Sequence, residues 1–384
     1  MPEPDAAQCA HAAAVLAGLR TRISERGGWI GFDEYLEQVL YAPGLGYYSA
    51  GAAKFGAAGD FTTAPELSPL FGACVARALA PMLAGGADLL ELGAGSGALA
   101  RALLLRLDEL GALPERYLIL EVSADLRERQ HALLRALPPP LYARVQWLDA
   151  LPLRALRAVI LANEVADALP FQCFAVTADG FSERGVALGA DGAPAWAERP
   201  AAAPLGSELA QLAASLPEPL AVGYRGELCL RLGPWLGSLA AALESGGIVL
   251  FDYGLGRREL YHPQRDAGTL RCHYRHRAHD DPYLYPGLQD ISAWVDYTRL
   301  AAAAADAGLE VAGYCTQAAF LLGAGIDAEL ARAGDEREHA RLASEARQLL
   351  LPGEMGETFK AMLLTRGAAA ASGAFAVQDL RRLL

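Results

Sequence analysis

The chain has 384 residues, 53% hydrophobic and 20% charged, a balance that suits a compact globular protein and excludes wholesale disorder. Its formal net charge is −12, from 33 Lys and Arg against 45 Asp and Glu, and no basic run is present, which argues against a nucleic-acid partner. Apolar runs such as "ALARALLLRL" are broken by arginines well short of the ~20 residues of a membrane span, and the six scattered cysteines form no CxxC pair. With no basic leader at the N-terminus, a soluble protein in a reducing, cytoplasmic setting is expected, without disulfides and without a bound metal.

Residues 1–85 read as mostly helical around a Gly- and aromatic-rich interruption, "YAPGLGYYSAGAAKFGAAGDFTTAPELSPLFG", which is too apolar for a solvated linker. From residue 88 the pattern alternates. "DLLELGAG" predicts a strand and "SGALARALLLRLDELG" an amphipathic helix ended by glycine; "RYLILEVS" is a strand, "ADLRERQHALLRAL" a helix stopped by three prolines. "RVQWLDA" and "RAVILANEV" are further strands. Continuous apolar strands separated by helices imply an α/β fold with a mostly parallel sheet covered on both faces. After Pro170, turn signals at "ADG" and "GADGAP" predict an antiparallel hairpin inserted at about residues 171–200. "ELCLRLGPWLGSLAAALESGG" returns to helix and leads into the strand "IVLFDYG". Residues 254–298 read as irregular, "DAELARAGDEREHARLASEARQLL" as one charged surface helix, and "ETFKAMLLTRG" as a late strand. This divides the chain into an N-terminal segment, 1–85, and a core, 86–384, with insertions at about 171–200 and 254–350.

The stretch "LLELGAGSG" places Gly93, Gly95 and Gly97 directly after a buried strand, where backbone must approach a ligand closely. With Ala98 it also satisfies the relaxed dinucleotide pattern, so the glycines alone leave NAD, FAD and S-adenosylmethionine open. Glu121, closing the next strand, suits a ribose in any of them. Three features tilt the balance. Glu91 lies on the strand two residues before the first glycine, where an acid suits a positively charged ligand better than a pyrophosphate. Gly97 carries the glycines into the helix start, leaving room for a nucleoside. Asp149 ends the third strand, within reach of an adenine amino group. A sulfonium with an α-amino group and no phosphate matches these acids.

"YAPGLGYYS", "GDFTTAPELSPLFG", "LLELGAGSGALA", "LEVSADLRERQ", "ANEVADALPFQCF", "FDYG" and "MGETFKAMLLTRG" follow one another along nearly the whole chain. Together they resemble the MidA-like family of S-adenosylmethionine-dependent methyltransferases, relatives of the mitochondrial complex I assembly methyltransferase. Ala94 and Ser96 stand where that family often has a proline and an arginine; all three glycines are kept. The resemblance implies a class I, Rossmann-like methyltransferase core with S-adenosylhomocysteine as product, and an N-terminal segment folded over the cofactor. It also implies arginine methylation of a protein, with a respiratory complex I subunit as the best-known substrate.

On this reading Glu91, Gly93, Gly95, Gly97, Glu121, Ser123, Asp149 and Asn163 are cofactor-site candidates, joined by Thr62, Thr63 and Pro65 from the N-terminal segment. The alternative role for Thr62, Thr63 and Pro65 is a plain helix start. "NEVADALP" follows the fourth strand, facing the crevice. Glu164 and Asp167, three apart on an expected first helical turn, form the carboxylate fork that a planar guanidinium needs; a helix cap is the simpler role for Asp167. "RCHYRHRAHDDP" lacks a recognised metal pattern and is read as a polar loop in which His276 or His279 accepts the released proton. A small-molecule methyltransferase and a non-catalytic, cofactor-binding assembly factor remain alternatives.

Overall fold

The computed structural model describes residues 1–49, 63–367 and 373–384. Its central sheet is built from β1 (Asp88–Leu92), β2 (Tyr117–Leu120), β3 (Val145–Leu148) and β4 (Leu156–Asn163), completed by three later strands. Between them lie two insertions. The first carries β5 (Gln172–Thr177), β6 (Gly180–Leu188), β7 (Pro194–Pro200) and β8 (Arg225–Leu228). The central strand β9 (Leu243–Leu255) follows. The second insertion carries β10 (Arg271–Tyr274), β11 (Arg277–His279) and β12 (Asp290–Ser292), after which the short β13 (Val295–Asp296) pairs with β9. Strands β14 (Glu310–Thr316) and β15 (Phe359–Arg366) finish the sheet, whose order is β3-β2-β1-β4-β9-β15-β14. All pairs from β3 to β9 are parallel, while β15 runs antiparallel to both its neighbours. This is the mostly parallel, Rossmann-like sheet expected.

The alternation of side chains along each strand divides the apolar core in two. Leu89, Val159, Leu161, Val249 and Phe251 pack on one face, under the helices Pro69–Leu83, Ala98–Glu109 and Glu336–Leu350. Leu90, Leu92, Ile160, Ile248 and Leu250 pack on the other, under Leu232–Ala241 and Tyr297–Asp306. Burying each such leucine or isoleucine contributes about 1.5–3 kcal/mol, so both layers hold the strands rigidly. Glu91 shares a face with Leu89 and is almost fully buried (3% exposed), an acid in a position otherwise reserved for apolar side chains.

The N-terminal segment is more than a cover. Val15, Leu19, Ile23, Phe32, Tyr35 and Leu36 form one core with Phe171, Cys173, Val186, Cys272 and Ile291, so it joins both insertions in an accessory layer. The expected hairpin becomes a four-stranded antiparallel sheet, β7-β6-β5-β8, because residues 225–228 pair with β5 and are not helical. So short a strand shows no period in the sequence. The stretch 254–298 contains a three-stranded sheet, β11-β10-β12, where an irregular loop is expected. Its hairpin turns at Arg275 and His276, both at positive φ (47° and 59°). Such a turn normally announces itself with Asn or Gly, and Arg-His gives no such signal. The single charged helix expected near the end is two, Ile326–Leu330 and Glu336–Leu350, the second capped by Asp335.

Candidate active site at the carboxyl ends of the parallel strands

Leaving β1, the chain turns through Gly93, Gly95 and Gly97 at φ 59°, 55° and 88°. Left-handed backbone at three alternate positions is costly for any residue with a Cβ, which explains the glycine spacing. Gly97 then caps the helix Ala98–Glu109. Ser96 donates to the Glu66 carboxylate and accepts from the amide of Ala98 at 3.2 Å, so the turn is buttressed by the N-terminal segment.

Two cavities meet at this turn. The larger, about 520 Å³, is lined by Gly93, Gly95, Leu120, Glu121, Val122 and Leu126, and opens past Tyr41 and Trp235. The smaller, about 60 Å³, is lined by Glu91, Gly93, Gly95, Asn163, Thr63 and Pro65. Tyr48 and Glu164 line both. Glu121 stands at the end of β2, accepting from the Ser123 amide at 2.9 Å and from Gln130 Nε2 at 3.1 Å. Glu91 accepts from the Tyr117 hydroxyl at 2.6 Å, and burial lifts its carboxyl from 4.5 to about 7.

At the end of β4, Asn163 donates to Glu164 Oε1 at 3.1 Å. Glu164 is itself at φ 54°, an uncommon conformation for a glutamate and the kind of local strain that clusters at working sites. The following loop is fastened from several sides. The Glu164 amide donates to Phe251 O at 2.8 Å, and Asp252 Oδ2 accepts from the amides of Ala166 and Asp167 at 2.9 and 3.2 Å. Tyr41, closing a π-helical turn at Glu37–Tyr41, donates to Ala168 O at 2.7 Å. Tyr48 donates to Asp290 at 2.5 Å, which brings the second insertion to the site.

Four carboxyls, those of Glu164, Asp167, Asp252 and Asp290, therefore crowd one region. Glu164 is pushed to about 8 by burial and then by Asp167, and Asp252 to about 8 by burial and then by Glu164. Asp167 is raised well above the usual carboxylate range by burial, Asp252 and Asp290, and its buried Oδ1 has no hydrogen-bond partner among the described residues. Among the dominant influences on Glu164, Asp167 and Asp252 there is no Lys or Arg of the described chain. Such a cluster favours a cation.

The expected site residues divide accordingly. Glu91, Gly93, Gly95, Glu121, Asn163, Thr63, Pro65 and Glu164 line the joined cavities and Gly97 caps the adjoining helix, while Asp167 lines neither cavity but a separate one, with Ala166, Leu169 and Cys229. Glu164 and Asp167 do come together, but through an irregular turn held by Asp252 and not through the expected helical turn. Ser123 does not line the cavities; it caps the helix Ala124–Leu134. Asp149 does not line them either: its exposed side chain pairs with Arg127 at 2.6 Å. His276, expected as the proton acceptor, does not line the cavities; it is exposed at the β10–β11 turn. Thr62 lies outside the described residues. Tyr41, Tyr48, Tyr117 and Asp290 were not among the candidates; the aromatic-rich "YAPGLGYYS" was the one signal for the first two.

These groups fit S-adenosylmethionine by their own chemistry. Strained glycines allow close backbone approach, an acid is fixed at the end of β2, and a second acid faces the smaller cavity. Such a set matches a nucleoside joined to a cationic amino acid. A family model described as "Putative S-adenosyl-L-methionine-dependent methyltransferase" matches residues 74–315. The chain belongs to this family. S-Adenosylmethionine is its cofactor and methyl transfer its chemistry. Among solved structures, a "likely methyl transferase" from Burkholderia thailandensis bound to S-adenosyl-homocysteine is 43% identical, with a TM-score of 0.94 over 100% of both chains. "Protein arginine methyltransferase NDUFAF7, mitochondrial" from Danio rerio is 29% identical, covering 90% of this chain and 85% of that protein. The Homo sapiens protein of the same name is 28% identical, covering 86% of this chain and 79% of that protein. These relatives carry a mitochondrial label, which overturns the expected cytoplasmic setting. No helix among the described residues is long and apolar enough to cross a membrane.

Proposed function

We propose that this methyltransferase acts on arginine in a protein, with a respiratory complex I subunit as substrate. The observation that carries the reading is the buried Glu164–Asp167–Asp252 cluster, whose dominant electrostatic neighbours are other acids. A guanidinium is planar, permanently charged and able to donate five hydrogen bonds, so it satisfies several such carboxyls at once. The names of the arginine-methylating relatives agree with this chemistry, and the resemblance to complex I assembly methyltransferases supports the choice of substrate.

When bound, the cofactor supplies an electrophilic methyl on a sulfonium. Gly93 and Gly95 would give its amino-acid part backbone contact, Glu91 would balance its positive charge, and Glu121 would hold its ribose. Glu164, lining both cavities, would stand between cofactor and acceptor. A bound guanidinium lowers the pKa of Glu164 and Asp167, so both ionise and orient one nitrogen. As that nitrogen becomes methylated it loses a proton, and Glu164 is the group placed to receive it. Tyr41 and Tyr48 close the site with aromatic surface and exclude water, which strengthens each of these contacts.

The test is transfer of radiolabelled methyl into a lysate of the source cells. Label in a protein band supports the reading; label only in the small-molecule fraction, or none above background, replaces it with a small-molecule enzyme or a binding-only factor.

A further inference from the structure

We propose that Gln130 is a positioning residue for the cofactor, fixing the Glu121 carboxylate for the ribose hydroxyls; the inference rests on Glu121 being the ribose acid. Gln130 sits in the helix Ala124–Leu134 and is 0% exposed. A buried primary amide has two donors on nitrogen and acceptor capacity on oxygen, and its two orientations are chemically different. Here the neighbours choose between them. The indole Nε1 of Trp147, on β3, lies 2.9 Å from Gln130 Oε1, and an indole N–H can only donate. The amide oxygen must therefore face Trp147. That leaves the NH2 group toward two acceptors, Gly95 O at 2.9 Å and Glu121 Oε2 at 3.1 Å. In the reverse orientation the amide oxygen would face a carbonyl and a carboxylate, and the indole would face an NH2. Gln130 itself is fully buried, so one orientation is enforced.

The rest of the environment locks the device. Trp147 is stacked on His131, ring centroids 3.6 Å apart, which steadies the indole in this position. Gly97 packs directly beside the Gln130 side chain, since a Cβ there would meet Gln130 Cγ at 3.4 Å, an ordinary van der Waals contact; what calls for glycine is its φ of 88°. The other Glu121 oxygen is held by the Ser123 amide. One amide thus ties together the glycine turn after β1, the acid after β2 and an aromatic on β3, three neighbouring strands beside the larger cavity. A carboxylate gripped at both oxygens before the ligand arrives needs no reordering when it binds.

Calorimetric binding of S-adenosylhomocysteine and of its 2′,3′-dideoxy analogue separates positioning from general packing. Gln130→Met keeps the volume and removes the amide; Trp147→Phe keeps an aromatic ring to stack on His131 and removes the orienting donor. The parent should prefer S-adenosylhomocysteine over the dideoxy analogue. Gln130→Met should weaken S-adenosylhomocysteine about tenfold or more, and Trp147→Phe about threefold, while the dideoxy analogue changes less than about twofold in either. In a Glu121→Gln background the Gln130→Met loss should vanish. Equal losses for both ligands, or undiminished S-adenosylhomocysteine affinity in both variants, would overturn the positioning role. If neither the parent nor Glu121→Gln distinguishes the two ligands, the ribose role of Glu121 itself fails; if Glu121 discriminates and Gln130 does not matter, only the present proposal fails. Should Gln130→Met not fold, Trp147→Phe decides between the same outcomes.

Discussion

Glu164→Gln should make the ligand-free protein more stable and the enzyme slower, with a pH signature that identifies the cause. Glu164 ionises at about 8 in the folded protein, against an ordinary 4.5. Between those values the unfolded chain has lost the proton and the folded chain keeps it. Stability therefore falls as pH rises through this window, reaching its full penalty above about 8. The two pKa values set a ceiling of about 5 kcal/mol. The side chain lines two cavities and is reached by water, which reduces the expected effect to about 2 kcal/mol. Glutamine keeps the shape and never charges. Thermal melts of parent and variant without ligand should coincide near about pH 4 and separate progressively above about pH 5, the variant melting a few degrees higher at about pH 9. Single-turnover methyl transfer should meanwhile drop roughly ten- to hundredfold, with S-adenosylhomocysteine affinity nearly unchanged. A variant that is equally or less stable at the alkaline end would refute the reasoning, because it would mean that Glu164 is held ionised by a cation within the protein.

Gly95→Val should abolish S-adenosylhomocysteine binding in calorimetry while the fold persists by circular dichroism, since a β-branched residue at φ 55° cannot keep the turn; retained affinity would contradict the glycine argument. Asp149→Asn and His276→Asn should each bind cofactor and transfer methyl within about twofold of the parent, because the structure exposes both away from the cavities, and a large loss in either would reopen its expected role. Asp252→Ala should cost about 2–4 kcal/mol of stability in denaturant melts near about pH 6, by leaving the amides of Ala166 and Asp167 unpaired; an unchanged midpoint would show that the loop is held elsewhere.

The sheet and its ligand edge were legible because buried parallel strands write continuous apolar runs and their ends write glycines and acids. "DLLELGAG" and "RAVILANEV" therefore located β1 and β4 directly. The accessory layer was less legible. Strands β8, β10, β11 and β12 have only three or four residues, several carry charges, and β8 and β12 find partners only through distant pairing with β5 and β10. The acceptor site inherits that difficulty. Glu164 and Asp167 are close in sequence, but Asp252 and Asp290 join them from strands much later in the chain, and no spacing rule connects them. Asp149 follows β3 as expected, but its exposed side chain pairs with Arg127 and lies outside the two cavities, which no spacing rule announces.

The central claim is that this acidic site holds a guanidinium while a methyl group arrives. Acid hydrolysis of the radiolabelled protein product, followed by chromatographic separation of its amino acids, tests it most directly. The label should co-migrate with methylated arginine and be sharply reduced when Glu164→Gln replaces the parent enzyme. Label in methyl-lysine, methyl-histidine or a base-labile methyl ester would contradict the account.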